Sequence, residues 1–378
     1  MKIAIISRSN LDDRVYWSGA INTIFNKLKS YNKIEIIKID RLDNSFRKLF
    51  ALKREYLKYT KKIKFDETYN LFVSKNYAKQ IKNKLSKHKN INFVLTFDSS
   101  LVAYLKINIP IILWTDLLYS DYYDHYFKKL QVSNETKISI KKIEQNALKN
   151  CHRIFLASKW ALKRAKTKYK KLYYKFRLLH IGPSFISSVT RSKIKSHISK
   201  RSKKKLYLIT LSVKWKRKGL DKAIILNKIL NRRGINSQLK IIGLKNKKIN
   251  DKNIKIVNFI NKNKTSGEKN ISDYLLKSHF HILFSNYEAY GISIVEANSR
   301  GLPNLSFRVG GINHIMKNGI NGKIFDKEED LEIVANYLIN IFHDYKKYKK
   351  LATTSYDYYK NNFSYNKIIP KFIKMIKK

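Results

Sequence analysis

Short, almost wholly apolar runs punctuate the chain, and between them apolar residues recur every third or fourth position. In the first half the runs are KIAIIS, KIEIIKI, INFVLTF, IPIILWT, RIFLAS and FRLLHIG, each of buried-strand length. Helical periods fall from about Val15 to Leu28, over KNYAKQIKNKLSKH and over KISIKKIEQNALKN. The pattern lapses over 187–205, SSVTRSKIKSHISKRSKKK, which is polar, basic and poorly periodic and reads as a linker. It restarts with strands LYLITLSV, SQLKIIG, IKIVNF, FHILFS, NLSF and GKIF, with helices GLDKAIILNKILNRRG and NISDYLLKSH among them. After Asp326 helices run through LEIVANYLINIFHDYKKYKKLA, and a last one covers NKIIPKFIKMIKK, where Pro370 caps or kinks. Strands alternating with helices predict parallel α/β sheets with right-handed crossovers, here two in succession: 1–186 and 206–355, with 356–378 as a closing helix. No internal repeat of the solenoid kind is visible.

Composition narrows this picture. The 378 residues suffice for two full cores, and 43% hydrophobic with 13% aromatic residues excludes general disorder. The single Cys151 excludes a disulfide framework and a Cys-built zinc site, and fits a reducing compartment. MKIAIISRSN reads as a first strand and not as a signal peptide. The best apolar run, INIPIILW, falls far short of the roughly 18 residues of a membrane span. These features predict a soluble cytoplasmic protein or one peripheral to the inner face of the cell membrane. The formal charge of +53 raises the question of nucleic acid. The excess is mostly Lys spread along the whole chain, beside abundant Ile, Asn and Tyr, as AT-rich coding would give. An anionic membrane or substrate therefore fits better than a nucleic-acid partner.

Candidate chemistry lies in SNYEAYGISIVEANSRGLP, 285–303, where two carboxylates flank a glycine in an apolar stretch. FHILFS should be a central strand, Gly291 opens a helix, and Gly301 with Pro303 closes it. Glu288 then sits at the carboxyl end of the strand, where open parallel sheets bind ligands, and Glu296 sits in the following helix. Carboxylates that accept sugar hydroxyls, beside a helix amino terminus that attracts phosphate, suit a nucleotide sugar. A surface loop followed by a helix with one solvated Glu has the same spacing.

SNYEAYGISIVEANSRGLP followed by VGGINHIMKNGINGKIF resembles the retaining GT-B glycosyltransferases of family GT4, the glycosyl transferases group 1. Glu288 and Glu296 match the family's E-x7-E, with Ala297, Gly301, Pro303, Gly310 and Gly311 in register. The resemblance implies two Rossmann-like domains facing a deep cleft, with the closing helix packed back on the first. It implies donor-sugar contacts from Glu288, ribose contacts from Glu296, and a donor lining that includes Tyr290 and the amides of Gly291 and Ile292. SVKWKRKGLDKAI resembles the donor-phosphate segment, with Arg217 and Lys218 as cations for the leaving diphosphate and no metal or other cofactor. Many members carry a further arginine where this chain has Ser212; Lys214 or Lys216 is the expected substitute. DDRVYWSGAINTIFNKLK resembles a subgroup's helix entry, which implies that Gly19 brings backbone near the donor phosphate. Asp116 in IPIILWTDLLYSDYYDHY sits where relatives place an acceptor-facing His or Asp, although an Asp there also caps a helix. Ser158 and Trp160 in EQNALKNCHRIFLASKWALKRA line the cleft or cap a helix.

Two segments mix cations with aromatics at loosely helical spacing, 47–65 and 159–179, as an interfacial amphipathic helix or a solvated face does. The expected function is transfer of a sugar from a nucleotide diphosphate sugar to a glycan or lipid-linked acceptor, in cell-surface polysaccharide or lipopolysaccharide synthesis. The rivals are a GT-B sugar-nucleotide epimerase and a basic nucleic-acid-binding protein. The E-x7-E spacing with the Lys218 loop favours transfer over the first, and the second rests on charge alone.

Overall fold

The computed structural model describes residues 1–126, 131–245, 247 and 249–377; Lys378, to which the expected last helix runs, lies outside them. The chain divides into two compact units. The first comprises Met1–Tyr16, Ile21–His180 and Ile369–Lys378, and the second Trp17–Ala20 and Ile181–Ile368.

The first unit holds strands β1 (Lys2–Ile6), β2 (Glu35–Ile39), β3 (Phe93–Thr96), β4 (Ile111–Thr115), β5 (Cys151–Leu156) and β6 (Phe176–Leu178). They form one parallel sheet in the order β2-β1-β3-β4-β5-β6. Every residue of β4 is buried, as expected of a strand covered on both faces. Trp114 of β4 stacks on Phe372 at 5.4 Å between ring centroids, and Phe372 meets Phe155 edge-on at 5.7 Å. The second unit holds β7 (Leu206–Leu211), β8 (Ser237–Ile242), β9 (Ile254–Val257), β10 (Phe280–Leu283), β11 (Asn304–Phe307) and β12 (Gly322–Phe325). Its parallel sheet has the order β12-β11-β10-β7-β8-β9, so the chain reverses its direction of travel between β7 and β10. Loops leaving the carboxyl ends of two such neighbours diverge to opposite faces and open a crevice for ligand.

Four expectations change in detail. The segment 187–205 is no bare linker: helix Arg191–Ser199 lies in it, capped by Thr190 and anchored by buried Ile194 and Ile198. The pair Ile194 and Ile198 is an i,i+4 apolar edge, too brief to stand out among lysines. The helix expected from Val15 begins only at Ala20, after a turn in which Trp17, Ser18 and Gly19 all have positive φ. The helices expected after Asp326 are Leu331–His343 and Tyr345–Asn362, the second capped by the Asp344 carboxylate and running past the expected end at Ala352. Helix Tyr365–Ile376 carries Pro370 inside it, and the unit boundary falls just ahead, so residues 356–368 stay with the second unit.

Candidate active site

Two loops meet at the reversal point of the second sheet. After β7, the short helix Trp215–Lys218 ends at Gly219, whose φ of 63° only glycine adopts cheaply. A Cβ there would stand 2.0 Å from the Phe284 carbonyl oxygen, so a side chain at 219 would drive the loops apart. Asn286 ties them together: its backbone N–H donates to the Arg217 carbonyl and its side-chain amide to the Lys216 carbonyl, both at 2.8 Å.

This seam brings Arg217 and Lys218 to Glu288. Lys218 Nζ lies 2.5 Å from Glu288 Oε2, Arg217 Nη1 lies 3.5 Å from it, and Ser285 Oγ donates to it at 3.2 Å. Glu288 is only 8% exposed. Burial pushes its carboxyl upward, but Lys218 and then Arg217 outweigh this and hold it below the ordinary carboxylate value. Burial also lowers the Lys218 ammonium, against the pull of Glu288. The backbone carbonyl of Glu288 accepts from the Gly311 N–H at 3.1 Å, which ties the loop after β11 to this seam.

Glu296, 4% exposed, lies on helix Ile292–Asn298. Its Oε1 accepts from Lys262 Nζ at 2.9 Å and from Ser184 Oγ. The same ammonium donates to Ser184 Oγ at 2.7 Å and to the Ser18 carbonyl at 3.2 Å. Ser18 belongs to the strained turn before Ala20, where Trp17 and Ser18 hold the left-handed region at φ 48° and 58°. Such conformations cost about 1–3 kcal/mol each outside glycine and concentrate at functional sites. Gly19, expected to approach the donor, completes that turn at φ 87°.

Both acids are thus buried and paired, and the reading of a surface loop with one solvated Glu fails. Among the described residues, no hydrogen bond reaches Oε1 of Glu288 or Oε2 of Glu296. Each carboxylate is oriented through one oxygen.

Other expected residues divide. Gly291 has φ 94° and starts the helix that Ile292 enters. The Tyr290 hydroxyl donates to the Ile181 carbonyl at 2.7 Å and accepts from its N–H at 3.2 Å, so its hydroxyl serves to tether the loop. Ser212 is buried and its hydroxyl bonds within its own loop, while Lys214 and Lys216 are exposed. Asp116 follows β4 in the first unit, half-buried, with Thr115 Oγ1 at 3.5 Å from its Oδ1. Ser158 resolves as a helix cap, its hydroxyl accepting from the Ala161 N–H at 3.1 Å. Lys262, Ser184 and Ser285 were not legible as site residues. Ser285 heads the very segment that carries both acids, whereas NKNK around Lys262 looks like any other basic stretch of this chain. His281, on β10, is fully buried; its Nδ1 meets Asn304 Oδ1 at 2.7 Å, and burial above all lowers its pKa to about 4.

Two six-stranded parallel sheets with helices, and a paired-carboxylate site at the second sheet's reversal point, define the two-domain α/β fold of GT-B glycosyltransferases. More particularly, residues 191–358 match the family model of the glycosyl transferases group 1. Among solved structures, sucrose-phosphate synthase from Thermosynechococcus elongatus aligns with a TM-score of 0.69 at 13% identity, covering 100% of this chain and 98% of that one. Anabaena HepE in complex with UDP and glucose aligns at 0.64 and 12%, covering 100% and 99%. WaaG, a glycosyltransferase involved in lipopolysaccharide biosynthesis, aligns at 0.63 and 13%, covering 100% and 99%. At these identities the structures show the fold alone, and the family-model match covers residues 191–358 of the 378. A search of curated protein sequences returns no match.

Proposed function

We propose that the protein transfers a sugar from a nucleotide diphosphate sugar to a glycan or glycolipid acceptor, with retention, in the synthesis of a cell-surface polysaccharide or lipopolysaccharide. The observation that carries this reading is the pair of buried carboxylates, each held by a lysine through one oxygen with no described bond on the other. An oxygen so presented accepts hydroxyl donors, and a sugar nucleotide offers two sets of them. Glu288 takes those of the donor sugar and Glu296 those of the ribose. HepE, solved with UDP and with UDP-glucose, lends support to a donor of this chemical class.

In the reaction the bond between the anomeric carbon and the diphosphate breaks, and its electrons leave with the diphosphate. Arg217 and Lys218 receive that growing charge, which is where fixed cations lower a barrier most. The acceptor oxygen bonds to the anomeric carbon on the face being vacated, and its proton passes to the departing phosphate oxygen. In the first unit, Asp116 is our candidate for polarising the acceptor hydroxyl. Gly19, Gly291 and Ile292 supply backbone to the donor, and Tyr290 holds the donor loop in place through Ile181.

A thermal-shift panel of nucleotide sugars tests the reading. The correct donor at a hundredfold over its dissociation constant adds about 2.7 kcal/mol of stability. If no nucleotide sugar raises the melting temperature and none is consumed with an acceptor extract, sugar transfer is excluded.

A further inference from the structure

The two cation-and-aromatic segments part company in the structure. The second, 159–179, is anchored in the first unit by buried Ala161, Ala165, Phe176 and Leu179, and of its large apolar side chains only Tyr173 and Tyr174 are exposed. The first becomes helix Ser45–Thr60, in which no residue is buried. Leu49, Leu52, Tyr56 and Tyr59 are spaced three, four and three residues apart, which places them in one stripe along the helix. Their exposures run from 60% to 73%. The far side and one flank are what attach the helix. Phe50 stacks on Phe65 and Phe72 at 6.3 and 6.4 Å, Lys53 Nζ reaches Glu135 at 2.5 Å, and Arg54 Nη1 reaches Glu67 at 2.6 Å. Phe50, which the sequence put among the surface aromatics, therefore faces inward. Exposed Lys48, Lys61 and Lys62 border the stripe and its carboxyl-terminal end.

An apolar stripe over eleven residues, about 16 Å long, is costly to leave in water. We propose that helix Ser45–Thr60 is a docking surface for an anionic lipid bilayer. Protein interfaces are poor in lysine at their cores, whereas lysine edging a Leu and Tyr stripe is the composition of a helix lying in the bilayer interface. There the tyrosine rings sit at headgroup depth, and the lysines reach the lipid phosphates while their stems cover apolar surface. The chain's formal charge of +53 adds long-range attraction to the same anionic surface. This inference is independent of sugar transfer and stands or falls without a donor.

The test is sedimentation of the full chain with vesicles of phosphatidylcholine alone and of phosphatidylcholine mixed equally with phosphatidylglycerol. Binding to the mixed vesicles only, weakening as salt rises, is expected. The double substitution Leu52→Ser and Tyr56→Ser should weaken that binding by about tenfold or more, because the apolar area inserted is lost. Leu49→Ser with Tyr59→Ser should do the same, and both pairs should keep the parent melting temperature since the side chains are exposed. Lys245→Glu with Lys247→Glu, in the second unit, should leave binding nearly unchanged. Equal losses from the two units, or full binding by both serine pairs, would overturn the proposal in favour of diffuse charge attraction. A dimer in size exclusion that the serine pairs dissociate would overturn it in favour of a second copy of this chain.

Discussion

Glu288 and Glu296 are eight residues apart, both buried and each gripped by a lysine, yet the groups that share the grip differ. Around Glu288 two cations, Lys218 at 2.5 Å and Arg217 at 3.5 Å, face one carboxylate oxygen. Around Glu296 one cation, Lys262, faces one carboxylate, and neutral groups, Ser184 and the Ser18 carbonyl, take its remaining contacts. Two cations beside one carboxylate attract an added anion more strongly than one cation beside one carboxylate does. The first environment suits a diphosphate and the second a neutral diol. In the proposed reading both carboxylates take hydroxyls, and the added cation beside Glu288 serves the diphosphate next to it.

Removing Lys218 should break this contrast most severely. Lys218→Ala leaves Glu288 buried with Arg217 at 3.5 Å, and losing one partner of a buried pair costs about 3–5 kcal/mol. Stability in urea should drop and transfer should fall by more than two decades. Adding Glu288→Gln to that variant should restore stability but not transfer. A double variant as unstable as the single one would show that the pair is not the source of the loss.

The two acids should then separate kinetically. A charged hydrogen bond is worth about 1.5–3 kcal/mol, or roughly one to two decades. Glu288→Gln should lower the transfer rate by that factor with nucleotide diphosphate affinity nearly intact, and Glu296→Gln should weaken nucleotide binding itself. Calorimetric titration with the nucleotide alone decides this, and identical behaviour of the two variants would erase the distinction.

A smaller effect comes from His281, which feels the charges of Lys218, Glu296 and Glu288. Folding lowers its pKa to about 4, so the folded protein keeps it neutral while the unfolded chain protonates it from the ordinary 6.5 downward. Its contribution to stability is complete above that value and shrinks as pH falls toward 4, by at most about 1.4 kcal/mol per pH unit. His281→Asn should flatten stability between pH 6.5 and 4 in urea titrations; an unchanged slope would place the acid sensitivity elsewhere, His279 being next, with a pKa lowered to about 3. The least change of all is expected from EDTA. With two cations at the diphosphate, chelation should leave the transfer rate where it was, and strict dependence on Mg²⁺ would contradict that charge balance.

The strands were legible because a buried parallel strand is mostly apolar, and β4 and β10 are so apart from Thr115 and His281. Glu288 was legible because an acid in such surroundings breaks the local pattern. Lys262 was not, because one lysine among many carries no signal until the fold sets it beside Glu296, 34 residues further on. The turn at Trp17 and Ser18 was hidden for a related reason: a tryptophan with φ 48° is held there by its surroundings, not by its own preference. On helix Ser45–Thr60 periodicity revealed a helix with two apolar sides, and only the body behind it decided that Phe50 turns inward and Leu52 outward.

Phe372 has a consequence for biosynthesis. It belongs to a segment that joins the first unit, and its ring closes over Trp114, whose indole donates to the Leu179 carbonyl at 3.2 Å. As the chain leaves the ribosome, residues 1–180 emerge first but cannot complete their own core. Trp114 must wait for about 190 further residues, an entire second sheet, before its cover arrives. Domains usually fold as units during synthesis, the amino-terminal one first. Here the nascent first unit stays unsealed throughout that interval, and a chain halted before Ile369 would keep it so.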